Sequence, residues 1–271
     1  MADNVVLVGC GNMGFAMLKG WLDAGTLLPG QVTVVEPTDS LRERAATLGV
    51  EALANASRLE DELSPRIILI AVKPQVMRDV LPAYARFAGT STFVSVAAGI
   101  TVAFFEEHLG HNTAIIRTIP NTPAAIGKGM IVTFRNPHVS ESDAEFVDLL
   151  LKTSGAVAAV DDESLIDVAT AVSGSGPAYV FHFIECLTEA AVVAGLERKT
   201  AEILAMQTVY GAGALAASSE VSPTTLREQV TSPNGTTAAA LNVLMGGDRL
   251  KNLLTEAVNA AHQRAVELGK D

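Results

Sequence analysis

Val5-Val6-Leu7-Val8-Gly9-Cys10-Gly11-Asn12-Met13-Gly14 is the stretch whose reading decides the fold. Four apolar residues run straight into a GxGxxG. Phe15, Met17, Leu18, Trp21 and Leu22 then recur near helical spacing until Gly25 ends the pattern. Strand, tight turn and helix, in that order, form the context in which spaced glycines bind a dinucleotide. Gly9 lets the chain leave the strand sharply. Gly11 has no side chain to hold a pyrophosphate off the backbone, and Gly14 lets helix and strand pack closely. The helix start, at Asn12 and Met13, offers free N–H groups and a positive dipole end to phosphates.

Outward from this stretch, short apolar runs alternate with helical patterns. Residues 31–36 read as a second strand and 40–48 as a short helix stopped by Gly49. Residues 66–72 are a continuous apolar run, as in a strand buried on both faces. Residues 75–87 read as helix, 92–97 as strand, 102–109 as helix and 113–118 as strand. This alternation predicts a parallel, doubly wound α/β sheet. Residues 127–134 and 156–160 add edge strands around a helix at 141–151. After Asp161-Asp162-Glu163 no strand pattern follows, and 165–172, 179–193, 199–217, 223–230, 236–245 and 250–268 all read as helix. The expected organisation is a Rossmann-like domain over 1–161, then an all-helical domain over 162–271. The helices at 177–195 and 201–217 are apolar on most faces, more than a piece of this size can hide. That predicts a homodimer built through the helical domain, with a compact monomeric helical domain as the alternative.

Composition narrows the function. Hydrophobic residues make up 49% of the 271 and charged ones 18%, so the chain packs a full core. A net charge of −11 argues against nucleic acid and anionic membrane surfaces as partners. The longest apolar run, 67–72, is strand-sized, and no signal peptide is apparent, so the expected location is cytoplasmic. Cys10 and Cys186 form no disulfide framework, and the histidines show no metal-ligand spacing, so no metal is expected.

Glu36 ends the second strand about 20 residues beyond the fingerprint, where an acid accepts hydrogen bonds from both ribose hydroxyls and repels a ribose phosphate. Glu36 therefore favours NADH, although Thr38, Ser40 and Arg42 could hold a phosphate; a solvated strand-end carboxylate is the alternative. Ala71, Val72, Lys73 and Pro74 follow the buried strand into the ligand crevice, and Lys73 can reach a ribose hydroxyl or phosphate; an ordinary helix-entry lysine is the alternative. In Pro120-Asn121-Thr122-Pro123, two prolines stiffen a loop that holds Asn121 toward a ligand, or simply form a turn. Two small-residue turns, 173–177 and 231–237, stand at helix starts with hydroxyls and N–H groups. Either can be a plain N-cap. As a pair beside a dinucleotide fold, they suit a small carboxylate.

These residues resemble the pyrroline-5-carboxylate reductase family nearly end to end. The resemblance lies in GCGNMG at 9–14, AVKPQ at 71–75, the PNTP loop, SGSGPAY at 173–179 and LREQVTSPNGTTAAAL at 226–241. It implies reduction of a cyclic imine to L-proline with NADPH or NADH, NADPH being the usual family choice. The implied cofactor residues are Gly9, Gly11, Asn12, Met13, Gly14, Glu36, Ala71, Val72, Lys73, Pro74 and Asn121. Those implied for the substrate are Ser173, Ser175, Val230, Ser232, Asn234, Gly235, Thr236 and Thr237. Thr237 matches the family's threonine, which hydrogen-bonds the substrate nitrogen, with the Ser232 hydroxyl near the carboxylate and Glu220 at a position near the ring nitrogen. The family also implies a dimer, often gathered into a decamer. The usual motif has two glycines after Ser-Pro, whereas this chain has Asn234 then Gly235. Asparagine tolerates left-handed backbone, so the turn is expected to survive.

Two rivals share the fold. The β-hydroxyacid dehydrogenases use a lysine on the first long helix of the second domain, and this chain has none between Lys152 and Lys199. A nucleotide-sensing scaffold is the non-enzymatic rival, and the paired second-domain turns argue against it.

Overall fold

A computed structural model describes residues 4–269. Its strands are β1 (Val5–Val8), β2 (Val32–Val35), β3 (Glu51–Leu53), β4 (Ile67–Ile70), β5 (Thr92–Ser95), β6 (Ala114–Ile119), β7 (Gly129–Arg135) and β8 (Gly155–Ala159). They form one sheet in the order β3-β2-β1-β4-β5-β6-β7-β8. The order reverses at β1, which pairs in parallel with both β2 and β4. Val8 is in register with Val35 and with Ile70, so Gly9, Glu36 and Ala71 leave the sheet side by side at its carboxyl edge. That edge, at the switch in strand order, is where doubly wound sheets bind ligands.

The helices are α1 (Asn12–Asp23), α2 (Asp39–Ala46), α3 (Met77–Val80), α4 (Val102–Leu109), α5 (Glu141–Lys152), α6 (Leu165–Ala169), α7 (Gly176–Val193), α8 (Arg198–Ser218), α9 (Pro223–Gln229), α10 (Thr236–Met245) and α11 (Arg249–Leu268). Alternate residues of the strands feed two apolar layers, as a pleat of period two requires. Leu7, Val34 and Leu69 pack with Met17, Leu18 and Trp21 of α1 and Phe146 and Leu150 of α5. Val6, Val8, Ile68 and Ile70 pack on the opposite face with Met77, Tyr84, Phe93 and Phe105. Trp21 lies wholly buried and its indole N–H is satisfied by the Leu150 carbonyl at 3.1 Å.

The structure departs from the sequence reading at four places. The short edge strand β3 is new; three residues carry no readable alternation. Residues 75–87 are not one helix but 3-10 turns, Pro74–Val76 and Leu81–Phe87, flanking the single turn α3. Pro82 removes the N–H that would carry the helix on. β7 runs antiparallel to β6, because the link between them holds only the short turn Thr122–Ile126 and no crossover helix. Finally, α6 runs through a π-helical turn, Thr170–Gly174, almost into α7, where an open turn was expected.

By packing, the chain forms two compact units: 4–175 with 261–269, and 176–260. Gly99, in the first unit, is left-handed (φ +77°), and a Cβ there would stand 3.0 Å from the Leu268 carbonyl oxygen at the end of α11. In the second unit Thr188 is the one buried residue of α7, and Ala201 and Ala205 are those of α8. Phe181, Phe183, Ile203, Met206 and Tyr210 are exposed on these two helices.

Candidate active site

The fingerprint turn is closed at its outer glycines and open at the middle one. A Cβ on Gly14 would lie 2.3 Å from the Gly9 carbonyl oxygen, and one on Gly9 would lie 2.8 Å from the Ala71 carbonyl oxygen. At Gly11 nothing stands within 4 Å of the Cβ position. Gly11 is the N-cap of α1 and makes no side-chain cap, and the first intrahelical bond is Phe15 N–H to the Gly11 carbonyl. The N–H groups of Asn12, Met13 and Gly14 thus have no partner inside the helix. An open cradle beneath unpaired N–H groups at a helix start fits a dinucleotide pyrophosphate.

Glu36 does something the sequence did not suggest. It is 5% exposed, and its carboxylate accepts the backbone N–H of Cys10 at 2.8 Å and that of Thr38 at 2.9 Å. It braces the turn from beneath, with its negative charge held beside the crevice. Arg42, a candidate phosphate holder, donates to the carbonyls of Glu36 and Pro37 and pairs with Asp39, so its guanidinium is already engaged. Thr38 and Ser40 are exposed. Arg44 was missed by sequence reasoning: it donates to the carbonyls of Cys10 (2.8 Å) and Gly11 (3.1 Å) and lies 4.1 Å over the Phe15 ring. Its position on the inward face of α2 was the available signal. Burial pushes the Cys10 thiol up to about 11, with Arg44 opposing and Glu36 adding to the shift. Cys10 is therefore a protonated, inert thiol at neutral pH.

Ala71 and Val72 are half-buried where β4 ends, and Lys73 is exposed as the N-cap of the Pro74–Val76 turn. Among the described residues Lys73 meets no carboxylate. Asn121 is not a free donor held toward the crevice. Its Nδ2 donates to the Ser173 carbonyl at 2.9 Å, and its Oδ1 accepts the Met130 N–H at 2.9 Å.

The 173–177 stretch is not the exposed helix start that was expected. The Ser175 N–H is spent on the Thr170 carbonyl at 2.8 Å, and the Ser173 hydroxyl turns back to the Ala169 carbonyl at 2.9 Å. Among the described residues the Ser175 hydroxyl carries no hydrogen bond.

The second turn keeps the expected form. Gly235 N–H closes on the Ser232 carbonyl at 3.1 Å, with Pro233 and Asn234 between them. Asn234 is left-handed at φ 60°, as the third position of a proline-led turn of this kind demands. A Cβ on Gly235 would fall 2.4 Å from the Ser232 Oγ, so the serine side chain would have to turn aside. Gly235 caps α10 without a side-chain bond, and the first intrahelical bond is Ala239 N–H to the Gly235 carbonyl. The N–H groups of Thr236, Thr237 and Ala238 are therefore unpaired within the helix. The hydroxyls of Ser232, Thr236 and Thr237 carry no hydrogen bond among the described residues, and Thr237 is half-buried. Val230, at the end of α9, is 65% exposed. Glu220 is exposed in the link between α8 and α9. The arrangement offers an anion three backbone donors and offers a polar atom beside it a hydroxyl.

Residues 163–268 match the family described as pyrroline-5-carboxylate reductase dimerisation, and residues 4–99 match NADP oxidoreductase, coenzyme F420-dependent. The pyrroline-5-carboxylate reductase of Pseudomonas aeruginosa is 39% identical over 271 residues, covering 98% of this chain and 97% of its own. That of Escherichia coli is 38% identical over 273 residues, covering 100% of each. Among solved structures, a pyrroline-5-carboxylate reductase from Coxiella burnetii superposes with a TM-score of 0.94 at 33% identity, covering 100% of both chains. The Plasmodium falciparum pyrroline carboxylate reductase with NADP bound superposes with a TM-score of 0.82 at 28% identity, covering 98% of both.

Proposed function

The chain belongs to the pyrroline-5-carboxylate reductase family, and we propose that Thr237 and the uncapped start of α10 carry its chemistry. The reaction is reduction of L-1-pyrroline-5-carboxylate to L-proline, the last step of proline biosynthesis, with NADH or NADPH. When bound, the nicotinamide supplies the hydride. The work left to the chain is binding, orientation and charge.

Gly9 to Gly14 hold the pyrophosphate, with Ala71, Val72, Lys73 and Pro74 along the adjoining ribose. The substrate carboxylate sits on the N–H groups of Thr236, Thr237 and Ala238, at the positive end of α10, with the Ser232 hydroxyl beside it. The Thr237 hydroxyl then hydrogen-bonds the ring nitrogen. An iminium accepts hydride far better than an imine, and a threonine hydroxyl is too weak an acid to protonate the ring alone. Solvent supplies the proton and Thr237 fixes its place, so catalysis rests on orientation and electrostatic fit. Glu220 stands near the ring nitrogen in this reading. Residues 1–161 serve the dinucleotide, and 162–271 serve substrate and dimerisation.

The observation that carries this reading is the turn from Ser232 to Gly235, which leaves three backbone donors and the Thr237 hydroxyl without partners among the described residues. Initial rates on pyrroline-5-carboxylate with NADH and NADPH, for wild type and Thr237→Ala, test it. NADH is used well, because the buried Glu36 charge disfavours a ribose phosphate and Arg42 is engaged elsewhere. The enzyme works as a cytoplasmic homodimer, gathered further into a decamer. No helix of the described residues is long and apolar enough to cross a membrane.

A further inference from the structure

Asn121, remote in sequence, bonds the backbone of the π-turn between α6 and α7. Pro177 has no N–H, so the Ser173 carbonyl one turn earlier cannot receive the usual helical bond. Asn121 fills the vacancy: its Nδ2 donates to that carbonyl at 2.9 Å, while its Oδ1 is pinned by the Met130 N–H at 2.9 Å. With both ends of the amide satisfied by the backbone, its orientation is determined. The turn also sits hard against the end of β6, for a Cβ on Gly174 would lie 3.3 Å from the Ile119 Cγ2. At the other end of the segment, Arg117 of β6 pairs with Glu163, whose carboxylate also accepts the Val102 N–H at 2.8 Å. The segment from Glu163 to Ser175 is thus fastened to β6 and its following loop at both ends. The hydroxyls of Thr170 and Ser173 turn back into the helix, while that of Ser175 carries no hydrogen bond among the described residues. Short π segments interrupting α-helices are often functional.

We infer that Asn121 is a positioning residue for the substrate turn, not a ligand of the dinucleotide. It holds the Ser173–Ser175 backbone in the π form that presents the Ser175 hydroxyl to the substrate. The inference rests on the family resemblance stated for Ser173 and Ser175, by which this turn touches substrate. It assigns Asn121 a measurable signature: the imine, and not the cofactor, senses its loss.

Two variants separate its bonds. Asn121→Asp keeps the acceptor for Met130 and loses the donor to Ser173, whereas Asn121→Ala loses both. Both are expected to raise KM for pyrroline-5-carboxylate about five- to tenfold, the scale of one hydrogen bond. The dissociation constant for the dinucleotide should stay within about twofold, an energy change well under that of one hydrogen bond. Amide exchange at Ser175 should accelerate in both. A dinucleotide constant that worsens in step with KM overturns the inference in favour of a cofactor ligand. Unchanged KM and unchanged exchange in both variants also overturn it. Ser175→Ala tests the underlying reading by itself: if its KM is normal while exchange in the Asn121 variants is fast, the clamp stands and the turn's contact with substrate falls.

Discussion

Glu36 accepts the backbone N–H of Cys10 on Oε2 at 2.8 Å, so the acid that follows β2 is fixed into the middle of the glycine turn. One buried carboxylate shapes the glycine turn and holds a negative charge beside it. Glu36→Gln keeps the volume but sets an amide N–H₂ against one of two backbone donors. A hydrogen bond to a charged group is worth about 1.5–3 kcal/mol, so a melting temperature lower by several degrees is expected. Removal of the charge should also move the ratio of kcat/KM values toward NADPH. A lower melting temperature with an unchanged ratio would leave Glu36 as a brace only.

Gly11 and Gly14 should behave oppositely when replaced by alanine. At Gly14 the new methyl meets the Gly9 carbonyl at 2.3 Å, so helix and turn must separate and the fold should weaken. At Gly11 it meets nothing within 4 Å, so the melting temperature should hold while the dinucleotide constant rises at least about tenfold, a loss of ~1.4 kcal/mol. Thermal melts and cofactor titration on the two variants check this pair. Tight cofactor binding in Gly11→Ala would remove the pyrophosphate from this turn.

The doubly wound order and the crevice at β1 and β4 were readable because the relevant signals are local. The apolar runs at 5–8 and 67–70 and the glycines between strand and helix each lie within one window. The left-handed Asn234 was readable for the same reason, since Pro233 and Gly235 flank it. What was not readable depends on partners far away in sequence. Glu36 and Cys10 are 26 residues apart, and Asn121 and Ser173 are 52. Nothing near Asn121 says that a proline at 177 has left a carbonyl for it. The 173–177 glycines suggested an open turn because glycine and proline usually end helices, while here the Ser175 N–H closes on the Thr170 carbonyl and Gly174 lies against Ile119.

Asp143, in the first turn of α5, ties that helix to the sheet. It takes Arg66 Nε at 2.7 Å, the Ser140 hydroxyl at 2.9 Å and the Thr92 hydroxyl at 3.1 Å. Burial raises its pKa, but these bonds outweigh burial and hold it below the ordinary 3.8. A depressed carboxyl stabilises the fold above its unfolded value and loses that contribution as pH falls through the folded one. Wild type should therefore lose stability more steeply than Asp143→Asn below about pH 4, and at neutral pH the variant should melt roughly 1–3 °C lower. Melting curves across acid pH check both, and parallel profiles would assign Asp143 no such role.

The helices of residues 176–260 expose Phe181, Ile203 and Tyr210 at 57%, 61% and 68%. Apolar surface on this scale marks an interface. Sedimentation of the wild type at micromolar concentration should give a dimer or larger. Tyr210→Glu should weaken it while leaving the melting of 4–175 largely unchanged. A stable wild-type monomer would refute the dimer.

Thr237→Ala should slow turnover and spare the cofactor. The Thr237 hydroxyl has no partner among the described residues, so its removal leaves no protein group unsatisfied. A threonine whose only duty were to cap α10 would stand before the helix and bond back to its N–H groups. Here that place belongs to Gly235, with no side-chain cap, and Thr237 is the second helical residue. Loss of one hydrogen bond to a charged nitrogen, about 1.5–3 kcal/mol, corresponds to a roughly ten- to hundredfold lower rate. Thr237→Ser keeps the hydroxyl and should keep much of the rate. Steady-state kinetics, cofactor titration and melting on the same preparations decide the matter. Normal turnover in Thr237→Ala with a lowered melting temperature would take the hydroxyl out of the reaction, leaving the backbone donors of α10 and the Ser232 hydroxyl to hold the substrate there.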